Sequence, residues 1–199
     1  MVAEAEAANE EQAWLLRAVL VLVSPRQVFA GIRDDADEAA HARSQAVLAL
    51  VLLSGIALVL WTPAYGRLLQ DRFVAWDGLT IAVLAFVGGG IYGTAVYWFA
   101  GLLLYLVVRG LGRTRSYRQA RHVLAFAAAP IALSLFLVWP VRLAVYGDDV
   151  FRTGGSDRGA GNSAFVALEA AFVVWALVLL VIGARVVFSK TASSSSGIS

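Results

Sequence analysis

The chain has no cysteine and little charge, and each shortage excludes a class of protein. Without cysteine there is no disulfide, no thiolate metal ligand and no thiol nucleophile. Charged residues make up 15% of the 199 positions, against about 25% in a typical soluble domain. The formal net charge of +2 gives no basic stripe for nucleic acid. His41 and His122 lack neighbours at metal-ligand spacing, so we expect no metal site and no cofactor.

Catalytic signatures are also missing. The sequence contains no H-E-x-x-H, no G-x-S-x-G and no P-loop glycine pattern. Ser156 and Asp157 share a loop, but nothing places a histidine beside them. The sequence therefore predicts a protein that is not an enzyme.

Long apolar runs are what the chain has in abundance. It is 60% hydrophobic, with a mean hydropathy of +0.74. Runs of this length and composition predict an all-α, polytopic helical membrane bundle with about four transmembrane helices. The predicted crossings are 45–61, 91–108, 122–145 and 164–187. They form a transmembrane domain, 44–188, which is followed by a disordered tail, 189–199.

Residues 1–43 precede the first crossing and predict a cytoplasmic segment with amphipathic, interfacial helices. The apolar stretch from Ala13 to Val23 is about 16 Å long as a helix, roughly half the hydrocarbon thickness. It is therefore expected to lie in the membrane interface, with Trp14 at headgroup level and Arg17 on the aqueous side.

Leu79 to Val108 carries no charge over thirty residues, a length between one crossing and two. As one helix it would measure about 45 Å, against a hydrocarbon core of about 30 Å. The triplet Gly88-Gly89-Gly90 is expected to break it, because each glycine costs about 1 kcal/mol inside a helix. We therefore predict an interfacial or re-entrant piece at Leu79–Val87, followed by the second crossing.

Four residues are predicted to set how the spans pack. Gly89 and Gly93 form a G-x-x-x-G pair, and Gly101 continues the same face, which lets another helix approach closely. Pro130 removes a backbone donor and is expected to kink the third span. The alanines around Pro130 make the third span the expected neighbour of the glycine face. That face also permits a homo-oligomer without requiring one.

Glu169 is an ionisable residue inside a predicted span, where a charge needs a partner or a water-filled cavity. Arg142 leaves the third span toward the same side of the membrane. We therefore predict an intramembrane ion pair between Arg142 and Glu169. Proton or ion coupling is the alternative, although a single carboxylate near an interface makes a poor relay.

An arginine collar separates the second and third spans: Arg109, Arg113, Arg115, Arg118 and Arg121. With four crossings, eleven basic residues lie on the collar side and five on the other. The positive-inside rule then places both termini in the cytoplasm. The collar has the composition that attracts anionic lipid headgroups, or an unidentified membrane or cytoplasmic protein, although topology alone also explains it. The basic residues are almost all arginine, which suggests a bacterial source and hence the cell inner membrane.

The stretch SYRQARHVLAFAAAP, from Ser116 to Pro130, resembles the signature of the Yip family of Rab-associated integral membrane proteins. Phe126 stands where tyrosine is usual in that family. Two further sets, Pro25, Phe29 and Ile32 before the membrane and Trp175, Leu179 and Gly183 in the last span, resemble prokaryotic members. The similarity covers roughly residues 14–188.

The resemblance implies a cytoplasmic N-terminus, a compact helical bundle and no catalytic residues. Eukaryotic relatives have five spans and act in vesicle traffic through Rab proteins, a pathway that a prokaryotic member does not serve. The expected function is therefore a membrane-organising or partner-binding role. The alternative is a small transporter or channel with a path near Gly89, Gly93, Pro130 and Glu169.

Overall fold

The computed structural model describes residues 12–61, 78–113, 116–147 and 160–189, and the elements in these ranges are helices. The predicted polar loops, the acidic first eleven residues and the predicted tail beyond residue 189 lie outside them. The helices are α1 (12–20), α2 (Pro25–Gly31), α3 (Asp37–Ala42), α4 (Ser44–Trp61), α5 (Gly78–Gly110), α6 (Tyr117–Ala127), α7 (Ala129–Leu137), α8 (Trp139–Tyr146) and α9 (Ala160–Phe188).

Four stretches are long and apolar enough to cross a membrane. They are Asp37–Trp61, Ala82–Gly110, Tyr117–Tyr146 and Gly161–Phe188. Each matches one predicted crossing, so the prediction of an all-α bundle with four spans is confirmed. Because successive spans alternate in direction, the N-terminal helices, the arginine collar and the end of α9 meet at one end of the bundle, which we call the collar end.

The expected break at the glycine triplet does not occur. Helix α5 runs through Gly88, Gly89 and Gly90 as one element of 33 residues, about 50 Å long. A broken helix would leave backbone groups unsatisfied inside the membrane. The glycine cost is also offset by close packing, because Gly89 lies directly on the backbone of α4. Leu79–Val87 is therefore the first part of a long helix, with no separate re-entrant piece.

The third span consists of three helices joined by two breaks. The first falls at Ala128, whose backbone N–H bonds the carbonyls of Leu124 and Ala125 at 3.0 and 3.2 Å. Pro130 then stands in the first turn of α7, where its missing N–H leaves no helical hydrogen bond unmade. The kink predicted at this proline is therefore observed. A second break at Val138 precedes Pro140, which stands in the first turn of α8. The sequence-based prediction did not include this break.

The turn between the second and third spans has defined caps on both sides. Helix α5 ends in a Schellman motif, in which Gly112 has a φ of 72° and Arg113 N–H bonds the Val108 carbonyl at 3.3 Å. Helix α6 begins with a capping box between Ser116 and Gln119, at 3.1 and 3.3 Å. These caps fix where the collar side chains leave the helices.

The N-terminal segment is anchored to the bundle by a few buried side chains, while most of the apolar residues of α1 are exposed. Phe29 and Ile32 are fully buried, and Phe29 fills the space over Gly183 of α9, where an added Cβ would lie 2.8 Å from the ring. Trp14 is buried too, with its ring centroid 5.6 Å from that of Phe126. The Trp14 ring is therefore buried within the protein, against Phe126 and the neighbouring apolar side chains, and its position at headgroup level stays a prediction.

Candidate functional site

Gly89 and Gly93 of α5 meet α4, although the third span was the expected neighbour. A methyl group added at Gly55 of α4 would lie 2.7 Å from the Gly93 Cα and would clash with the Gly89 carbonyl oxygen. One added at Gly93 would clash with the Val51 carbonyl oxygen. We call Gly55, Gly89 and Gly93 the glycine seam. The partner helix supplies its own glycine, so the two backbones touch.

Gly101 serves a different contact, with α6. Its bare Cα leaves room for the side chain of Arg121, whose Cγ would clash with any Cβ at this position. The Arg121 guanidinium lies 3.9 Å from the Trp98 ring centroid and 4.7 Å from that of Tyr117. The Tyr117 hydroxyl donates a hydrogen bond to the Trp98 carbonyl at 2.7 Å. Arg121 is thus held among aromatic rings by cation–π contacts.

Arg118 joins the N-terminal segment to α6. Its guanidinium bonds the carboxylates of Asp35 at 2.9 Å and Asp37 at 2.6 Å, and it also donates to the Asp35 carbonyl oxygen. Two separate carboxylates on one guanidinium fix the geometry more firmly than a single surface pair does. We call this contact the latch.

Arg43 lies beneath the latch and is fully buried. Its Nε–H donates to Nδ1 of His122 at 2.8 Å, which requires that ring nitrogen to carry no proton. Its Nη2 is 3.8 Å from the nearer carboxylate oxygen of Asp35. Asp35 is therefore within ion-pair distance of both Arg43 and Arg118, and it connects the interior to the latch.

Gln119 and Arg33 extend these contacts to the last helix. The Gln119 amide donates to the Arg33 carbonyl at 2.8 Å. The Arg33 guanidinium donates to the Val186 carbonyl at 2.8 and 2.6 Å and to the Ser189 hydroxyl at 2.9 Å. The N-terminal segment, α6 and the end of α9 therefore form one polar surface at the collar end.

The five collar arginines have different surroundings. Arg118 and Arg121 are engaged within the protein, by carboxylates and by aromatic rings. Arg109 is exposed, and its Nη1 is 3.5 Å from the Tyr105 hydroxyl. Arg113 is half-buried, and Arg115 lies outside the described residues. Of the described collar arginines, Arg109 and Arg113 remain as surface cations.

Arg142 and Glu169 come together at the other end of the bundle. Arg142 Nη1 is 3.1 Å from Glu169 Oε1, and its Nη2 donates to the Asn162 side-chain oxygen at 3.0 Å. The guanidinium also lies 5.2 Å from the Trp139 ring centroid. The side chains are 12% and 5% exposed, so the pair is buried between α8 and α9.

Two of the cavities between the described helices bear on the transport hypothesis. The larger, about 140 Å³, has apolar walls from α4, α5, the α6–α7 break and α9. The smaller, about 10 Å³, borders Glu169 and Ser134. Gly93 lines the larger cavity, whereas Gly89 lies in the seam and Pro130 is buried. Each of these two cavities is lined by only one of the four residues of the transport hypothesis, Gly93 in the larger and Glu169 in the smaller.

No group of three or more metal-ligand side chains occurs within the ranges that the structure describes. The fold and the buried charge contacts define a polytopic helical membrane protein with four candidate spans. The Yip1 domain matches residues 19–198, nearly the whole chain. The chain therefore belongs to the Yip1 domain family, and the resemblance seen in its sequence is confirmed. Comparison with curated proteins and with solved structures gave no significant match.

Proposed function

We propose that this Yip-family protein is a non-enzymatic, multi-pass component of the cell membrane that binds a partner protein at its collar end. In this proposal the collar end and both termini face the cytoplasm, as the excess of arginine on that side favours. The exposed face of helix α3 and the connector before it are the contact surface.

The observation that carries the proposal is that a polar surface is held in one arrangement by buried contacts. Asp35 pairs with Arg118 at the surface and with Arg43 in the interior, so α3 cannot move without disturbing buried charge. Asp37 remains 96% exposed although it pairs with Arg118, and Glu38 beside it is exposed as well. A pre-ordered surface of this kind loses little conformational entropy when a partner binds.

The transport alternative receives less support from the packing. A path for ions needs polar lining groups, whereas most side chains that bound the larger cavity are apolar and the Ser54 hydroxyl on its wall donates to the Leu50 carbonyl. Helix α4 occupies the space beside Gly89 and Gly93 of the seam, and Glu169 is paired with Arg142. The space beside Glu169 holds about one water molecule at most.

Site-specific photo-crosslinking in intact cells tests the proposal. A benzophenone side chain at Glu38 is expected to give a discrete protein adduct, and one at Leu143, near the opposite end of the bundle, is not. Adding Arg118→Gln opens the latch and should weaken the Glu38 adduct without altering the amount of folded protein. No adduct at Glu38, or an adduct that is indifferent to Arg118→Gln, would overturn the proposal.

A further inference from the structure

The larger cavity is a groove between α5 and α9 that reaches the lipid-facing surface. Helix α5 packs on α4 and α6, while α9 packs on α2, α6 and α7, so α5 and α9 have no extensive interface of their own. Leu177 lines the cavity and is 56% exposed. Hydrocarbon, not water, therefore surrounds the opening in a bilayer. We call this space the α5–α9 groove.

The chemistry of the walls limits what can enter. The walls are aliphatic side chains, alanines and Gly93, together with Tyr97 and with Ser54, whose hydroxyl donates to the Leu50 carbonyl at 2.6 Å. An apolar cavity of about 150 Å³ stays dry and accepts a ligand the size of benzene, and this groove has a similar volume of about 140 Å³. It therefore suits several methylene groups of an extended chain.

A cation stands at the collar-side end of the groove. Arg121 precedes Leu124 and Ala125, which line the groove, by three and four residues, so all three share one face of α6. The Arg121 guanidinium lies 5.2 Å from the ring centroid of Tyr97, itself a lining residue. Within the described part of the chain no carboxylate pairs with Arg121, and its Nε has no hydrogen-bond partner.

The depth of the groove matches one leaflet. Its lining residues on α6 and α7 run from Leu124 to Ile131, about 5 to 15 Å below Arg121 along the helices. Half of the hydrocarbon core is about 15 Å. A lipid with its headgroup at the level of Arg121 would place the middle of an acyl chain in the groove.

We propose that the α5–α9 groove binds an acyl chain of an anionic phospholipid, with the lipid phosphate beside the Arg121 guanidinium. The apolar walls hold the chain, and the cation selects the charge of the headgroup. This site is separate from the α3 surface, so it goes beyond the proposed function and stands or falls independently of it.

The test is native mass spectrometry of the delipidated protein, titrated with phosphatidylglycerol and phosphatidylcholine that carry the same acyl chains. One lipid is expected to bind, with phosphatidylglycerol preferred about fivefold, the ratio that one basic residue near the surface provides. Arg121→Gln should remove the preference. Arg109→Gln is the matched control, because Arg109 belongs to the same collar but does not adjoin the groove, and it should keep the preference.

A second variant tests the groove without altering charge. Leu177→Trp places a larger side chain at the opening, and since Leu177 is 56% exposed the variant is expected to fold. It should weaken the binding of both lipids. An unchanged preference in Arg121→Gln, or binding of both lipids to Leu177→Trp at wild-type strength, would overturn the proposal.

Discussion

Small residues lie at the contacts on two sides of α5, yet one side is closed by α4 and the other is open. In the glycine seam, Gly93 meets Gly55 of α4 so closely that neither tolerates a methyl group. Around the α5–α9 groove, Ala125 and Ala128 face a space of about 140 Å³. Small residues permit a close approach, but they produce one only where the partner helix supplies a small residue at the same height.

The groove stays open because α9 is attached elsewhere. At the collar end Arg33 bonds the carbonyl of Val186, and near the other end Glu169 pairs with Arg142. Between these contacts the middle of α9 packs on α6 and α7 and leaves α5 aside. The difference between the closed seam and the open groove therefore depends on these two attachments of α9 as well as on the glycines.

The largest effect is expected from Gly55→Leu in the seam. The added side chain meets backbone atoms of α5 that cannot rotate away, and overpacking of this kind costs about 3 kcal/mol or more. We expect little folded protein, measured by size-exclusion chromatography and by thermal unfolding in detergent. The control is Gly90→Ala, where an added Cβ would lie 3.5 Å from Leu52 Cδ2, an ordinary contact. Equal behaviour of the two variants would contradict the close backbone contact in the seam.

The next effect concerns the attachment of α9 at the far end. Glu169→Gln leaves a buried arginine without its counter-charge and should destabilise the protein by about 3 kcal/mol. Adding Arg142→Gln should restore part of that loss, since the second change removes the stranded charge. The measurement is a double-mutant cycle on the free energy of unfolding. Additive effects of the two substitutions would show that the pair does not hold α8 to α9.

A smaller effect is expected at the collar-end attachment. Arg33→Gln removes the hydrogen bonds to Val186 and Ser189, which lie at an exposed site, and should cost about 1 kcal/mol. The loss should be local, so hydrogen exchange is expected to rise in residues 183–189 and to stay unchanged in α4. A uniform rise in hydrogen exchange across the bundle would instead show that Arg33 stabilises the whole fold. Arg26→Gln, another exposed arginine of the N-terminal segment, is the control.

The smallest effect is expected within the groove. Ala128→Val adds two methyl groups toward empty space, so the stability should change by less than about 1 kcal/mol. Thermal unfolding of Ala128→Val and of Gly93→Ala compares the effect of added methyl groups in the groove with their effect in the seam. A loss in Ala128→Val as large as that in Gly93→Ala would mean that the groove is closed in the membrane.

Much of the fold follows from local features of the sequence. The apolar runs predict four crossings, and Pro130 predicts the first break of the third span. Ser116 and Gln119 also carry a capping-box spacing that signals the start of α6, although the prediction placed the span start later. The pairing of Arg142 with Glu169 was predicted because both residues leave their spans toward the same side, and a buried carboxylate needs a partner.

Other features depend on which helices become neighbours, and spacing along one chain does not reveal that. The continuity of α5 follows from the contact of Gly89 with α4, whereas glycine propensity alone predicts a break. The burial of Arg43 was missed because the connector around it reads as a solvated, mixed-charge stretch. Its role becomes visible only once His122 and Asp35 are placed beside it.

The central claim is that the interior of the bundle is dry and that the collar end faces the cytoplasm. Cysteine accessibility tests it most directly, because the chain has no native cysteine. Ser54→Cys and Ser134→Cys are nearly isosteric and report on the larger and the smaller cavity, while Arg109→Cys is the reference at the collar end. With a membrane-impermeant maleimide in cells and inverted vesicles, we predict labelling of Arg109→Cys from the cytoplasmic side only, and none of the two interior cysteines from either side. Reaction at either interior cysteine in the folded protein would show that water reaches the bundle, contradicting the account and favouring transport.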